Sequence, residues 1–158
     1  MPSLMPGKAG TKEAYAIAVI GKDLRIAVPP GAMLHYRLQP DAAVLLMTTH
    51  RGEGGFALLP QARTAATVFA KYIDRIAAPE VVHRFQDKAY ALTKLQGGRI
   101  CMTGAMLQAF HLGVGDRLLV VKSTTVALSY TPVEIWRVKF AERGLREAVE
   151  NMAKLEVF

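Results

Sequence analysis

The chain has 158 residues, 51% of them apolar, with 20 Lys and Arg against 13 Asp and Glu, and a single cysteine. A chain near that length buries roughly 70% of its unfolded surface; the lone Cys101 excludes an internal disulfide and argues for a reducing compartment, and no apolar run approaches the ~20 residues that span a bilayer. The net charge of +7 is spread along the chain instead of gathered in a tail, and it favours a polyanionic partner, nucleic acid above all.

Residues 1–12 carry Gly, Pro, Ser and Lys without periodicity and read as a flexible basic arm. The apolar residues 14–20 are followed at once by Asp23 and Arg25, with no small-residue cleavage site, so they are not read as an export signal. Residues 15–20 and 24–28 are expected as short strands flanking the turn Gly21-Lys22-Asp23. Pro29-Pro30 opens a short helix over 31–37, because Pro is tolerated in a first turn that has no use for its N–H. Strands are expected at 43–49 and 56–59, separated by the polar, Gly-rich turn 50–55. From 61 to 77 the period changes: Ala65, Phe69, Tyr72, Ile73 and Ile76 recur at helical spacing. Pro79 breaks that helix, and a second is expected to about Lys88, with Val81, Val82 and Phe85 inward.

The pattern then restarts. Sliding the chain by 74 positions places Arg25-Ile26 on Arg99-Ile100, Tyr36 on Phe110, Leu38 on Leu112, and Val44-Leu45-Leu46 on Leu118-Leu119-Val120. Strands are expected at 90–94 and 99–102 around Gln96-Gly97-Gly98. A second short helix lies between Thr103, a candidate N-cap, and Gly113, a candidate C-terminal glycine. Strands at 117–122, 126–130 and 133–137 follow, then a helix over 138–154 with Val138, Ala141, Leu145, Val149 and Met152 inward. Its wet side carries the i,i+4 pairs Glu142–Arg146, Arg143–Glu147, Arg146–Glu150 and Glu150–Lys154. The organisation expected is a first repeat at 14–59, a helical linker at 60–89, a second repeat at 90–137 and a C-terminal helix at 138–158. The fold class is mixed α+β and β-rich. Each repeat is too small to close a sheet alone; two that exchange hairpins form one pseudo-twofold barrel with fewer free edges.

The run Gly98-Arg99-Ile100, a helix from Thr103 to Phe110, Leu112, Asp116 and the strand 118–121 resembles the AbrB-type swapped-hairpin domain. The first repeat matches through Leu24-Arg25-Ile26, the helix 29–36, Leu38, Asp41 and the strand 44–47. Two such units in one chain, with His83-Arg84-Phe85 between them and Glu134-Ile135-Trp136 before the final helix, are similar to the MraZ family of transcriptional regulators. The resemblance covers about residues 14–152. It implies a non-enzymatic, cytoplasmic, nucleoid-associated regulator that binds double-stranded DNA as a homo-oligomer, in that family a ring. Two departures stand out. Gly21 and Leu95 occupy the positions where the family carries an aspartate four residues before the strand arginine, and Thr103-Gly104 stands where it usually has proline.

The resemblance assigns DNA contact to Arg25 and Arg99, and charge geometry agrees. Two arginines related by an approximate dyad suit repeated features of a duplex, and a guanidinium grips either guanine O6/N7 or phosphate. Lys22 and Lys94, in or near the same turns, are natural phosphate contacts. The structural alternative pairs Arg25 and Arg99 with Asp41 and Asp116 inside the barrel. The second functional reading, motivated by the missing aspartates, is a protein-interaction or scaffold module that kept the fold without DNA readout. No catalytic constellation stands out. The glycines of 50–55 lack the Gly-Lys-Ser/Thr ending of a phosphate loop, and His35, His50, His83, His111 and Cys101 lack ligand spacing. No enzyme activity, metal or cofactor is expected, and no membrane partner. Cys101, in the run Ile100-Cys101-Met102, reads as a buried thiol, and Tyr130 and Trp136 as packing residues on strands.

Overall fold

Strands β3 (Ala43–Thr48) and β8 (Arg117–Lys122) each carry four consecutive buried apolar residues, a pattern that needs cover on both faces of the pleat. Both receive it. Val44 and Leu46, with Leu118 and Val120, face one central core; Leu45 and Met47 face an outer layer on one side, and Leu119 and Val121 an outer layer on the other. The computed structural model describes residues 14–49, 54–64, 67, 70–75, 80–85, 87–142, 144 and 146–158. The N-terminal arm, most of the 50–55 turn and the helical-stripe residues Ala65, Phe69 and Ile76 lie outside these.

The first half contributes β1 (Ala14–Val19), β2 (Arg25–Ala27), helix α1 (Pro30–His35), β3 and β4 (Phe56–Pro60). Between the halves lie the short helices α2 (Gln61–Thr64) and α3 (Ala70–Arg75) and the strand β5 (His83–Phe85). The second half contributes β6 (Lys88–Gln96), β7 (Arg99–Cys101), helix α4 (Gly104–Ala109), β8 and β9 (Leu128–Pro132); helices α5 (Val133–Glu142) and α6 (Arg146–Ala153) follow. The strands form one antiparallel sheet in the order β1-β8-β9-β4-β3-β6-β7-β2, with β5 added to β6. Its two ends meet where Gly21 N–H donates to Arg25 O at 3.1 Å, so the sheet is nearly closed and barrel-like.

The pairings repeat about an approximate dyad. The first strand of each half pairs with the third strand of the other: β1 with β8, and β6 with β3. The second strands pair with each other about Ile26↔Ile100, and the fourth strands about Ala57↔Ser129. Each first strand has its outer edge covered, which removes a template for aggregation. On β6 the cover is β5; on β1 it is the last residues of the chain, where Ile17 N–H donates to Glu156 O at 2.8 Å and Val19 N–H to Phe158 O at 2.9 Å. Outer layers cap the two faces: Trp136, Phe140, Met152 and Leu155 pack over β1 and β8, and Ile73 of α3 with Phe85 of β5 over β3 and β6.

Several expectations are corrected. The second linker helix expected from Pro79 to about Lys88 does not form; residues 83–85 are strand β5, because Phe85 packs on Tyr90 across a ladder to β6 (ring centroids 5.6 Å apart). The strand expected at 133–137 is the start of α5, so Trp136 and the Glu134-Ile135-Trp136 run sit on a helix. The C-terminal helix is interrupted at Gly144 (φ 66), which separates Glu142 from Arg146; on α5, Arg137 forms an ion pair with Glu134. Thr103 does cap α4, its Oγ1 accepting from Met106 N–H at 3.2 Å. Gly113 does not end that helix. His111 takes the left-handed conformation there (φ 56), as Arg37 does after α1 (φ 53). Leu112 N–H reaches Leu107 O and Leu38 N–H reaches Met33 O, each at 2.9 Å, closing the same six-residue motif twice. A side chain in that region is strained relative to glycine. His111 is exposed, so His111→Gly is expected to stabilise the fold by about 1 kcal/mol, read as a higher urea midpoint at unchanged slope.

Tyr130 sits fully buried on the dyad beside Phe56, and its hydroxyl donates to Ala27 O at 3.0 Å. Burial pushes the phenol well above its ordinary value of 10.0. The sign follows: above about pH 10 the unfolded chain loses this proton while the folded chain keeps it, so stability falls as pH rises. Tyr130→Phe removes that contribution. Its stability is expected to be lower by about 1 kcal/mol at neutral pH for the lost hydrogen bond, and to decline less steeply between pH 10 and 11 in urea titrations.

Candidate nucleic-acid interface

The two second strands are short because their neighbours leave them little room: Pro29 and Pro30 follow β2, and Thr103 caps α4 soon after β7. Paired, they make a two-stranded ribbon at the dyad. Strand alternation sorts its side chains cleanly. Ile26 and Ile100, opposite each other, point inward and are fully buried. Arg25, opposite Cys101, and Arg99, opposite Ala27, are on the outer face. The two arginines are diagonal neighbours there, with Cα atoms roughly 8 Å apart from the strand rise and strand spacing. Lys94 and Gln96, exposed on β6, extend the same face, since Gln96 stands opposite Arg99.

Of the four sequence-predicted site residues, Arg25, Arg99 and Lys94 therefore come together on one surface. Lys22 is exposed at the tip of the first hairpin. Lys22 and Lys94 are not dyad mates: Lys22 is in a loop and Lys94 within a strand whose partner strand places Val19 at the equivalent point. The structural alternative is overturned. Arg25 and Arg99 are exposed, not inside the barrel, and neither pairs with Asp41 or Asp116. Both carboxylates are exposed, and Asp116 Oδ2 accepts from Gly113 N–H at 2.8 Å. Cys101 is likewise not the buried thiol expected; it is half-buried on the outer face of the ribbon, opposite Arg25.

The residue sequence reasoning missed is Gln96. Its Oε1 accepts from Arg25 Nη2 at 3.0 Å, across the dyad from one hairpin to the other. The alternation Lys94-Leu95-Gln96, with Leu95 buried, already placed it beside Arg99, but the reach from Arg25 needs the β2–β7 pairing that brings distant segments together. Arg25 is further positioned by its own turn, where its N–H donates to Asp23 Oδ1 at 3.2 Å. Among the described residues, Arg99 makes no side-chain hydrogen bond or ion pair.

The face thus presents two guanidinium groups and the Lys94 ammonium group to solvent, with Lys22 and Asp23 at one hairpin tip. Among the described residues no three His, Cys, Asp or Glu side chains gather as a metal cluster, and no helix is long and apolar enough to cross a membrane. Comparison with protein-family models and with curated proteins returns no match.

Proposed function

We propose that this chain is a DNA-binding transcriptional regulator of the AbrB and MraZ type, its two repeats forming a swapped-hairpin barrel that offers the dyad ribbon to duplex DNA. One observation carries the reading: Arg25 and Arg99 lie exposed on paired strands, in no ion pair among the described residues, with Lys94 on the same face and Lys22 at the first hairpin tip. The guanidinium groups would supply base-edge or bidentate phosphate contacts, and the lysines phosphate contacts alone. The chain would act without enzymatic chemistry, in the cytoplasm on the nucleoid, by occluding or recruiting at a promoter. One ribbon of three-residue strands makes few contacts, so several copies engaging repeated boxes would be needed for affinity. Exposed Val138 on α5 suits burial between such copies.

The salt dependence of binding tests this. If the four basic side chains each neutralise a phosphate, the slope of log K against log salt for a bound duplex is expected near −3.6 per chain, about −0.9 for each contact. A slope near zero, or no retention of duplex DNA at low salt, would reject it. The second reading, an interaction module that kept the fold without DNA readout, is favoured by Arg25 being held by Gln96 and by the negative Asp23 at the first tip. Sequence-selective retention of fragmented genomic DNA would dismiss it.

A further inference from the structure

The approximate dyad of the ribbon is broken, and it is broken at the residues that face outward. In the second half, Gln96 pairs with Arg99 across a two-residue turn, Gly97-Gly98, with φ of 57 and 77. Such a turn needs left-handed backbone at both positions, which glycine supplies at little cost. In the first half the turn is one residue longer. Gly21 N–H donates to Arg25 O, and Lys22, Asp23 and Leu24 form the loop, with Leu24 in the left-handed position (φ 61) that Gly98 fills in the other half. The equivalence is fixed by the backbone: Val28 N–H donates to Gly98 O, and Met102 N–H to Leu24 O. Ile20 N–H donates to Asp116 O, and Leu95 N–H to Ala42 O, so Ile20 matches Leu95 and Gly21 matches Gln96.

That match decides what each arginine meets. Arg25 reaches across the dyad to the amide of Gln96. The corresponding reach from Arg99 ends at Gly21, which has no side chain to receive it. A Cβ at Gly21 would meet Asp23 Oδ1 at 2.6 Å, the end of an exposed side chain that would have to shift aside. One guanidinium is therefore fixed, with one of its donors spent and the amide N–H groups of Gln96 turned into additional donors. Among the described residues the other holds no hydrogen bond or ion pair. The tips differ as well: one carries Lys22 and Asp23, the other only Gly97 and Gly98.

We propose that the chain reads DNA with two unequal halves, and that Gln96 is the specificity-determining residue that makes them unequal. This rests on the DNA-binding reading above. The half-site under Arg25 is met by a preorganised guanidinium–amide pair, which contributes both fixed geometry and a donor set that Arg99 lacks. Preorganisation lowers the ordering cost of that contact and narrows the sequences it accepts. The half-site under Arg99 is met by an exposed guanidinium that no amide holds and a bare glycine tip, which allows close backbone approach but looser sequence choice. The target is then non-palindromic, and the protein sits on it in one orientation.

Selection of bound fragments from randomised duplex DNA, run with the unmodified chain, Gln96→Ala and Gln96→Glu, tests this. The unmodified chain is expected to select a site with one sharply and one loosely defined half. Gln96→Ala is expected to lower affinity for the selected site about fivefold and to relax only the sharp half. Gln96→Glu is expected to lock Arg25 in an ion pair and to lower affinity about tenfold, with the loose half unchanged. A palindromic selected site, or a Gln96→Ala profile identical to the unmodified one, would overturn the inference while leaving DNA binding standing. Failure of the unmodified chain to enrich any duplex would overturn the DNA reading and this inference with it.

Discussion

Replacing both Arg25 and Arg99 by Ala is expected to reduce duplex binding at least about thirtyfold, since each bidentate arginine contact is worth roughly 1–3 kcal/mol. The fold should survive. Both side chains are exposed, the inward partners Ile26 and Ile100 stay in place, and surface replacements of this kind change stability by about 0.5 kcal/mol or less. The pair of readouts matters. Binding measured by fluorescence anisotropy should collapse while the urea unfolding curve does not move. The single variants are expected to be unequal, because Arg25 is held by Gln96 and Arg99 is not. Binding that stays undiminished and salt-sensitive in the double variant would place the DNA surface elsewhere on the molecule.

Phe56→Ala carries the largest expected effect on stability. Phe56 is fully buried where the fourth strands cross the dyad, stacked on Tyr130 with ring centroids 4.8 Å apart and planes 15° apart, and tilted against Phe110 at 5.5 Å. Two of its three-ring cluster come from the second half, so the residue is shared property. Truncating a buried Phe costs about 3–5 kcal/mol through lost transfer energy and the cavity left behind. The adjoining Gly55 (φ 84) lies so close to the Tyr130 carbonyl that a Cβ there would overlap it, so the backbone has little freedom to collapse into the space. The expected result is a single unfolding transition moved to lower denaturant, with signals from both halves moving together. If only first-half signals moved, the two halves would be energetically separate.

What the residues alone disclosed was a β-rich, barrel-like fold and the place of several of its strands. The offset of 74 places β2 on β7, α1 on α4 and β3 on β8 residue for residue, because these segments carry their own signals: continuous apolar runs, a Pro-Pro helix start and a Thr N-cap. Where a segment's state is set by what it packs against, local pattern misled. Val81, Val82 and Phe85 are spaced for a helix face, yet β5 forms because the edge of β6 is open to it. Val133, Ile135 and Trp136 have strand composition, yet Pro132 ends the β9 ladder and the segment coils into α5 over β1 and β8. The one-residue difference between the two turns was hidden by an alignment without gaps, which set Gly21 against Leu95 instead of Gln96. That slip concealed the asymmetry at the candidate site. Arg25 and Arg99 were legible as a pair; the amide that distinguishes them was not.

The central claim is that the halves complete each other, β1 on β8 and β6 on β3, so that neither arginine is presented without both. A protease site inserted beside Thr67, between α2 and α3, followed by cleavage and native mass spectrometry, tests it most directly. The two fragments are expected to remain a one-to-one complex at micromolar concentration and to unfold in one transition. Fragments that part on cleavage, each keeping its own folded signal, would contradict it.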